Sequence, residues 1–497
     1  MRRLLSISRF VWFACAVLVL VAAGIPPVSA TDLSLDQALD RAMNKTARGD
    51  MIRGNEDVAR QYYSARRTNL YFPEISINGS IPSYTEDKSY RGLQNSFDKS
   101  LYQTTALDFR SDIELKQTLL TGGSLTARVN LVSEDNEYPN TRYDPALGTR
   151  LDESSKRGFF SFSLEQPLFR PSSTKNELHN RKDDLEIAKM TRIEEGAGLR
   201  KEVTEAYLSV LQLALKAQLS ADKLEQARLQ ESIDSAKLSD GILSEEDFLL
   251  SSSARLDAEL EFFEVKTERE EQQRELATLL DLDISEQLVL TEPPLTPPLD
   301  SGARARLIAA WERTVPIIKA EHQYEKAKRE ADFAASGHGL TGDLNANYNF
   351  GQQKVETSVG SFSNEQDINT SGWTISLDFR LPLWDGGAGS AAIQASRYQA
   401  EQAKYEFTRA KRSARAQIMN LLNQLDVSYS RLEIIRKQIE LADNRHKIAQ
   451  SRFDDGQISQ LTLLESRVFY LETKDKYLEE LKSYQVNRID LDGKFIN

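Results

Sequence analysis

Two periods of apolar and polar positions divide the chain. From Trp373 to Leu383 every odd residue is apolar, with Thr374, Ser376, Asp378, Arg380 and Pro382 between them. Leu344, Ala346, Tyr348 and Phe350 alternate with Asp343, Asn345, Asn347 and Asn349, and Ile75, Ile77, Gly79 and Ile81 alternate with Glu74, Ser76, Asn78 and Ser80. A period of two predicts strands with one apolar face. Elsewhere the step is three and four. Leu421, Leu425, Ser428, Leu432, Ile435, Ile439, Ala442, His446, Ala449 and Phe453 form one seam; Val203, Tyr207, Val210, Ala214, Ala217, Ala221 and Leu224 form another. This is the rhythm of a long helix packed along one face. Gly389 to Asp455 is free of proline for 67 residues, roughly 100 Å of helix at 1.5 Å per residue. Glu245 to Leu280 and Leu461 to about Asp490 read as returning helices. The expectation is two antiparallel helical hairpins with tips at Gly241 and Gly456.

The same unit recurs. Phe162-Ser-Leu-Glu-Gln-Pro-Leu-Phe169 aligns with Leu377-Asp-Phe-Arg-Leu-Pro-Leu-Trp384, and Ser239-Asp-Gly-Ile-Leu-Ser244 with Asp454-Asp-Gly-Gln-Ile-Ser459, both 215 residues apart. Two internal repeats building one composite structure are expected: a first helix-strand-helix repeat at 31–285, a proline-rich linker at 286–302 around Thr291-Glu-Pro-Pro-Leu-Thr-Pro-Pro298, and a second repeat at 303–497. Phe72-Pro-Glu-Ile75 aligns with Thr341-Gly-Asp-Leu344 at the larger offset of 269. The first repeat therefore carries an insertion. It contains Ile113 to Leu119, Gly122-Gly123 and Leu125 to Leu131, an additional β-hairpin on a glycine turn. Whether this hairpin joins a barrel wall or stands outside it is open at this stage.

The N-terminus sets the compartment. Arg2, Arg3 and Arg9 precede an apolar run from Phe10 to Ile25, and Val28-Ser29-Ala30 is a small-x-small cleavage site. Residues 1–30 read as a secretory signal peptide rather than an anchor. Cys15 lies inside the apolar run, too early for a lipoprotein cysteine, and it is the chain's single cysteine. The formal charge is −12 and falls to −15 once the three arginines of residues 1–30 are removed. An acidic chain without clustered basic surface is a poor grip for nucleic acid. One cysteine and four histidines leave no disulfide scaffold and no thiolate metal site. An exported chain with no later apolar helix can enter lipid only as a closed barrel. Aromatics near the strand ends (Tyr71, Phe72, Phe159, Phe160, Trp373, Trp384) favour barrel strands over a soluble sheet. Neither repeat has enough strands for closure, so several copies would share one barrel.

On these residues the chain resembles the TolC-type outer-membrane factor family. Leu33-Ser-Leu-Asp-Gln-Ala-Leu39 resembles the family's first helix, and Leu381-Pro-Leu-Trp-Asp-Gly-Gly387 its strand-to-helix exit. Arg452-Phe-Asp-Asp-Gly-Gln-Ile-Ser459 with Leu463-Leu-Glu465 resembles its second tip. The resemblance implies an α+β fold: a trimeric outer-membrane β-barrel of four strands per chain, continued by a long α-helical coiled-coil tunnel in the periplasm. It implies a passive exit duct for a tripartite efflux pump or type I secretion system, not an enzyme, without cofactor. The partners would be outer-membrane lipid, a periplasmic adaptor and an inner-membrane transporter. A trimeric coiled-coil surface stalk or adhesin is the rival, though strands in both repeats and a helical C-terminus count against it.

The tips carry the expected sites. Gly241, Ser244, Gly456 and Ser459 would form the adaptor-docking turns, with glycine permitting reversal and serine capping the returning helix. The family's second tip commonly has an aromatic three before its glycine, an arginine two after, and acids six and nine after. Here Phe453, Ile458, Thr462 and Glu465 hold those positions. The first tip keeps its acid as Asp247. The expected constriction rests on packing around Phe453 and Ile458, with Asp247 and Glu465 in acidic rings. Gly387-Ala-Gly-Ser-Ala-Ala392 matches a dinucleotide fingerprint, but its strand alternates and contains Pro382, unlike the doubly buried strand of that fold. His179, His322, His338 and His446 are scattered, no G-x-S-x-G occurs, and no catalytic constellation is expected.

Overall fold

The computed structural model describes residues 31–92, 99–139, 150–284, 288–359 and 361–495. The signal-peptide reading of residues 1–30, Cys15 included, lies outside them. In chain order the elements are β1 (Thr31–Leu33), α1 (Leu35–Asn44), α2 (Ala47–Tyr71), β2 (Glu74–Gly92), β3 (Lys99–Thr118), β4 (Ser124–Pro139), β5 (Arg150–Leu168), α3 (Ser173–Ser239) and α4 (Glu245–Leu279). There follow β6 (Leu288–Leu290), α5 (Ser301–Ala309), α6 (Val315–Gly337), β7 (Thr341–Val359), β8 (Phe362–Arg380), α7 (Ala388–Asp454) and α8 (Gln460–Asp492). Helices α3 and α7 are both 67 residues long. Their starts, Ser173 and Ala388, lie at the 215-residue offset read from the sequence.

The chain forms two compact units. One comprises Asp57–Ala188 and Lys319–Thr408. It holds an antiparallel sheet in the order β2-β3-β4-β5-β7-β8. The inserted hairpin is therefore part of the sheet, and the four strands implied by the resemblance become six among the described residues. Its turn runs through Gly122 at φ +90°, a left-handed conformation suited to glycine. The strands are 16 to 20 residues long, about twice the length of the alternating runs read in the sequence. Alternation ends where both faces turn polar, yet backbone pairing continues, and the sequence pattern cannot mark that extension.

The other unit takes Lys189–Ile318, Arg409–Asn497 and the chain up to Glu56. Its core includes Leu199, Val203, Tyr207, Leu276, Ile418 and Leu481, each at most 1% exposed. The seam of α7 is buried or half-buried at each of its positions from Leu421 to Phe453. That of α3 is buried or half-buried at every position but Ala221, which is exposed. Within the expected linker, β6 pairs in parallel with β1, a contact that three-residue strands give no periodicity to reveal. Tyr207 fastens both: its hydroxyl lies 2.7 Å from the Leu33 and Thr291 carbonyls and accepts from the Thr291 amide at 3.0 Å.

Candidate functional site: the hairpin tips and the two-faced sheet

Each tip closes its own backbone. After α3, the Gly241 amide donates to the Leu238 carbonyl at 3.0 Å and the Ile242 amide to Lys237 at 2.8 Å. After α7, Gly456 donates to Phe453 and Gln457 to Arg452, both at 2.8 Å. These paired bonds are Schellman motifs, with the C′ residue left-handed. Gly241 and Gly456 have φ of +69° and +72°. The returning helices are capped as expected. Ser244 accepts from the Asp247 amide at 3.1 Å, and Ser459 from the Thr462 amide at 3.3 Å. An N-cap of this kind contributes about 1 kcal/mol.

Asp247 has a local role as well. Its carboxylate accepts the Ser244 hydroxyl at 2.6 Å, while Thr462 offers a hydroxyl 3.1 Å from that of Ser459. Phe453 and Ile458 are half-buried; Asp247, Thr462 and Glu465 are exposed. At the first tip Ile242 is 75% exposed.

Behind the tips, α3 and α8 are joined by polar contacts that sequence reasoning missed. Gln460 donates to Glu225 at 3.2 Å, Arg467 lies 2.9 Å from Asp222, and Lys223 lies 3.3 Å from Glu472. Asp222 is buried, and that burial pushes its carboxyl above the usual carboxylate range against the opposing pull of Arg467. Asp222 shares its helix face with Leu219 but also with Gln218, Glu225 and Gln226, so the sequence pattern gave no signal of its burial. His446 is a packed residue, its Nδ1 3.0 Å from the Ser466 hydroxyl and its ring stacked on Tyr470.

The sheet has two unlike faces. Ile77, Ile113, Val129, Phe160 and Phe350 form one cross-strand row, and Ile75, Leu115, Ala127, Phe162, Tyr348 and Trp373 the next. This face is the open one: Ile77 is 72% exposed and Trp373 73%. The opposite face is more covered and polar, with rows such as Ser76, Glu114, Arg128, Ser161 and Asn349. Phe159 departs from the expected aromatic girdle. It sits mid-strand on the polar face opposite Gly351, where a Cβ would collide with its ring. The glycine leaves a gap that the phenyl ring fills.

The fingerprint-like glycines form a turn into α7. Gly386 and Gly387 are left-handed. The Asp385 carboxylate accepts from the Gly387 amide at 2.9 Å and the Gly389 amide at 2.7 Å. The Gly389 bond, then the Gly387 bond, holds that carboxyl below its ordinary value. A side-chain anion thus already occupies the helix N-terminus where a nucleotide phosphate would bind. Among the described residues, no group of three or more His, Cys, Asp or Glu side chains could hold a metal ion.

Comparison with known proteins places this architecture. Residues 310–493 match the family model described as outer membrane efflux protein. The chain is 19% identical over 190 residues to outer membrane protein TolC of Salmonella enteritidis, an alignment covering 38% of this chain and 39% of that relative's length. Its fold is similar to the outer membrane protein VceC of Vibrio cholerae, with TM-score 0.57 and 12% identity over 93% of this chain and 97% of that one. It is similar again to the CmeC outer membrane channel of Campylobacter jejuni, with TM-score 0.58 and 12% identity over 93% and 86%. Residues 310–493 thus match the outer membrane efflux protein family model, and the fold of the chain is similar to that of solved outer-membrane channels.

Proposed function

We propose that this protein is a passive exit duct of the outer membrane, built from two copies of one helix-strand-helix unit and assembled as a homotrimer. The observation that carries the reading is the two-faced sheet. One apolar row, Ile75 to Trp373, crosses all six strands on the open face, a second crosses five from Ile77 to Phe350 before meeting Ser371 on β8, and polar rows line the covered face. Lipid outside and water inside ask for that division. The apolar rows give way on the same face to Lys156, Lys354 and Asp367, a band of four to five rows or about 25 Å.

Exposed helix stripes support a shared assembly. Val427, Ile434, Leu441 and Ile448 recur every seven residues on α7, each at least 50% exposed. Leu249, Leu256, Leu260 and Phe263 form a comparable stripe on α4. Heptad stripes of this kind are seams for neighbouring helices, here the helices of another copy. The helical part would stand in the periplasm and take cargo from an inner-membrane transporter of a tripartite efflux or type I secretion system. Its adaptor would dock at Gly241, Ser244, Gly456 and Ser459, with Asp247, Phe453, Ile458, Thr462 and Glu465 around the narrow end. Acidic threefold rings at Asp247 and Glu465 would favour cations.

Purified protein in a planar bilayer tests the reading. Discrete conductance from a trimer supports it, and absence of conductance from folded, membrane-inserted protein refutes it. Replacing Gly241 or Gly456 by Trp should abolish export while trimer and barrel persist. Export that survives both changes refutes the docking role.

A further inference from the structure

The inserted hairpin changes how a barrel must close. Strands β3 and β4 pair with β2 and β5 over long registers, from Glu74–Lys116 to Gly92–Lys99 and from Ser124–Glu165 to Pro139–Arg150. They carry the same division of faces as the other strands. The row Ile77–Ile113–Val129–Phe160 crosses both of them without a break. The hairpin is therefore wall, not loop.

The sheet ends at β2 and β8, each 19 residues long, with β2 bonded only to β3 and β8 only to β7 among the described residues. In lipid a row of open backbone N–H and C=O groups cannot persist. Six strands are too few to close on themselves. Every neighbouring pair in the sheet is antiparallel and the strand count is even. Hence β8 runs opposite to β2, and the edge of one copy meets the edge of the next in the same antiparallel sense. Both edges also present their apolar residues on the same face, Ile75 and Ile77 on β2 and Trp373 and Ile375 on β8.

We infer that three copies of this chain close one eighteen-stranded barrel, with β8 of each copy paired to β2 of the next. The inference rests on the trimeric duct reading above and departs from the twelve strands that the family resemblance implies. Strands about 4.8 Å apart and tilted by about 40° give a backbone diameter of about 36 Å for eighteen strands, against about 24 Å for twelve. The added wall differs in chemistry. Arg110, Asp112, Glu114, Arg128, Glu134 and Arg157 mass on the polar face of β3 to β5, with Arg128 paired to Glu114 and Arg110 3.6 Å from Glu134. Across β7 and β8 the middle of that face is amide and hydroxyl, as at Asn347, Asn349, Thr370 and Thr374. The lumen has three charge-paired sectors separated by three neutral ones.

Single cysteines in the otherwise cysteine-free mature chain test this in intact cells. Arg128→Cys should react with a charged, membrane-impermeant maleimide, and Ala127→Cys only with a lipid-soluble one. Val129→Cys and Asn130→Cys repeat the alternation one pair further along β4, so a single misfolded variant does not decide the matter. Mass of the detergent-purified wild-type oligomer should correspond to three chains. Equal impermeant labelling of both members of each pair, in a trimer that still conducts, overturns the barrel wall and leaves the duct standing. A conducting oligomer of two or four chains overturns the eighteen-strand closure. Failure of the wild-type chain to insert in membranes overturns the inference together with the duct reading.

Discussion

The Tyr207 hydroxyl offers the sharpest test of how the helical unit holds its ends. Tyr207→Phe keeps the buried ring and removes one oxygen. That oxygen accepts from the Thr291 amide and reaches the carbonyls of Leu33 and Thr291. A donated hydrogen bond contributes about 1 kcal/mol net, and a partly buried amide left without its acceptor costs about 1 kcal/mol more. The sum of about 2 kcal/mol corresponds to roughly a 30-fold change in an opening equilibrium. The loss should be local, because the oxygen bridges β1 and the residue that follows β6. Hydrogen exchange read by mass spectrometry on the detergent-solubilised protein should show peptides around Leu33 and Leu288–Thr291 exchanging 10- to 100-fold faster, by the same conversion. Peptides at the Gly456 tip should be unaffected. Unchanged exchange at Leu33, or a uniform acceleration throughout α7 and α8, would refute the assignment of Tyr207 as the fastener.

Gly456→Ala should cost about 1–2 kcal/mol purely through the left-handed backbone, since its Cβ would meet nothing within 4 Å; proteolysis at the tip should rise, and Gly456→Asn should rise less. Asp222→Asn tests the buried carboxylate. Burial raises the Asp222 pKa above 3.8, so the folded state binds a proton more readily and wild-type stability declines as pH climbs from 3.8 through the raised value. Thermal midpoints should therefore show the Asn variant gaining on wild type across that window, and a flat or inverted difference would rule the effect out. Gly351→Ala should lower the heat resistance of the assembled protein on gels through collision with Phe159, and adding Phe159→Leu should restore part of it; no loss in the single variant would show the gap to be slack.

The elements that stand out in the sequence are those whose physics is periodic. The seam of α7, the even-numbered face of β7 and the odd-numbered face of β8 repeat over many residues, so a one-sided apolar face writes itself into the order of side chains. The tips were legible for another reason: a left-handed C′ residue favours glycine and a cap favours serine, whatever surrounds them. Contacts between elements far apart in the chain left weaker traces. Asp222 meets Arg467 across 245 positions, and neither residue reports the other. Strand β6 is three residues long and pairs with β1, so no period could form. Phe159 read as a membrane-girdle aromatic because its partner Gly351 is itself silent in any hydropathy pattern.

The closed backbone of the tips limits what any partner can recognise. The amides of Gly241, Ile242, Gly456 and Gln457 are bonded within their own turns, and Ser244 and Ser459 satisfy the helices that follow. A docking protein therefore finds those four amides already engaged. Discrimination then falls largely to side chains, on turns whose shape these bonds hold. Recognition then behaves as an address written in a few interchangeable letters. On the proposed docking role, exchanging Ile242-Leu243 and Gln457-Ile458, between each glycine and its serine, for the residues of a related channel should carry partner choice with them while the helices beneath stay as they are.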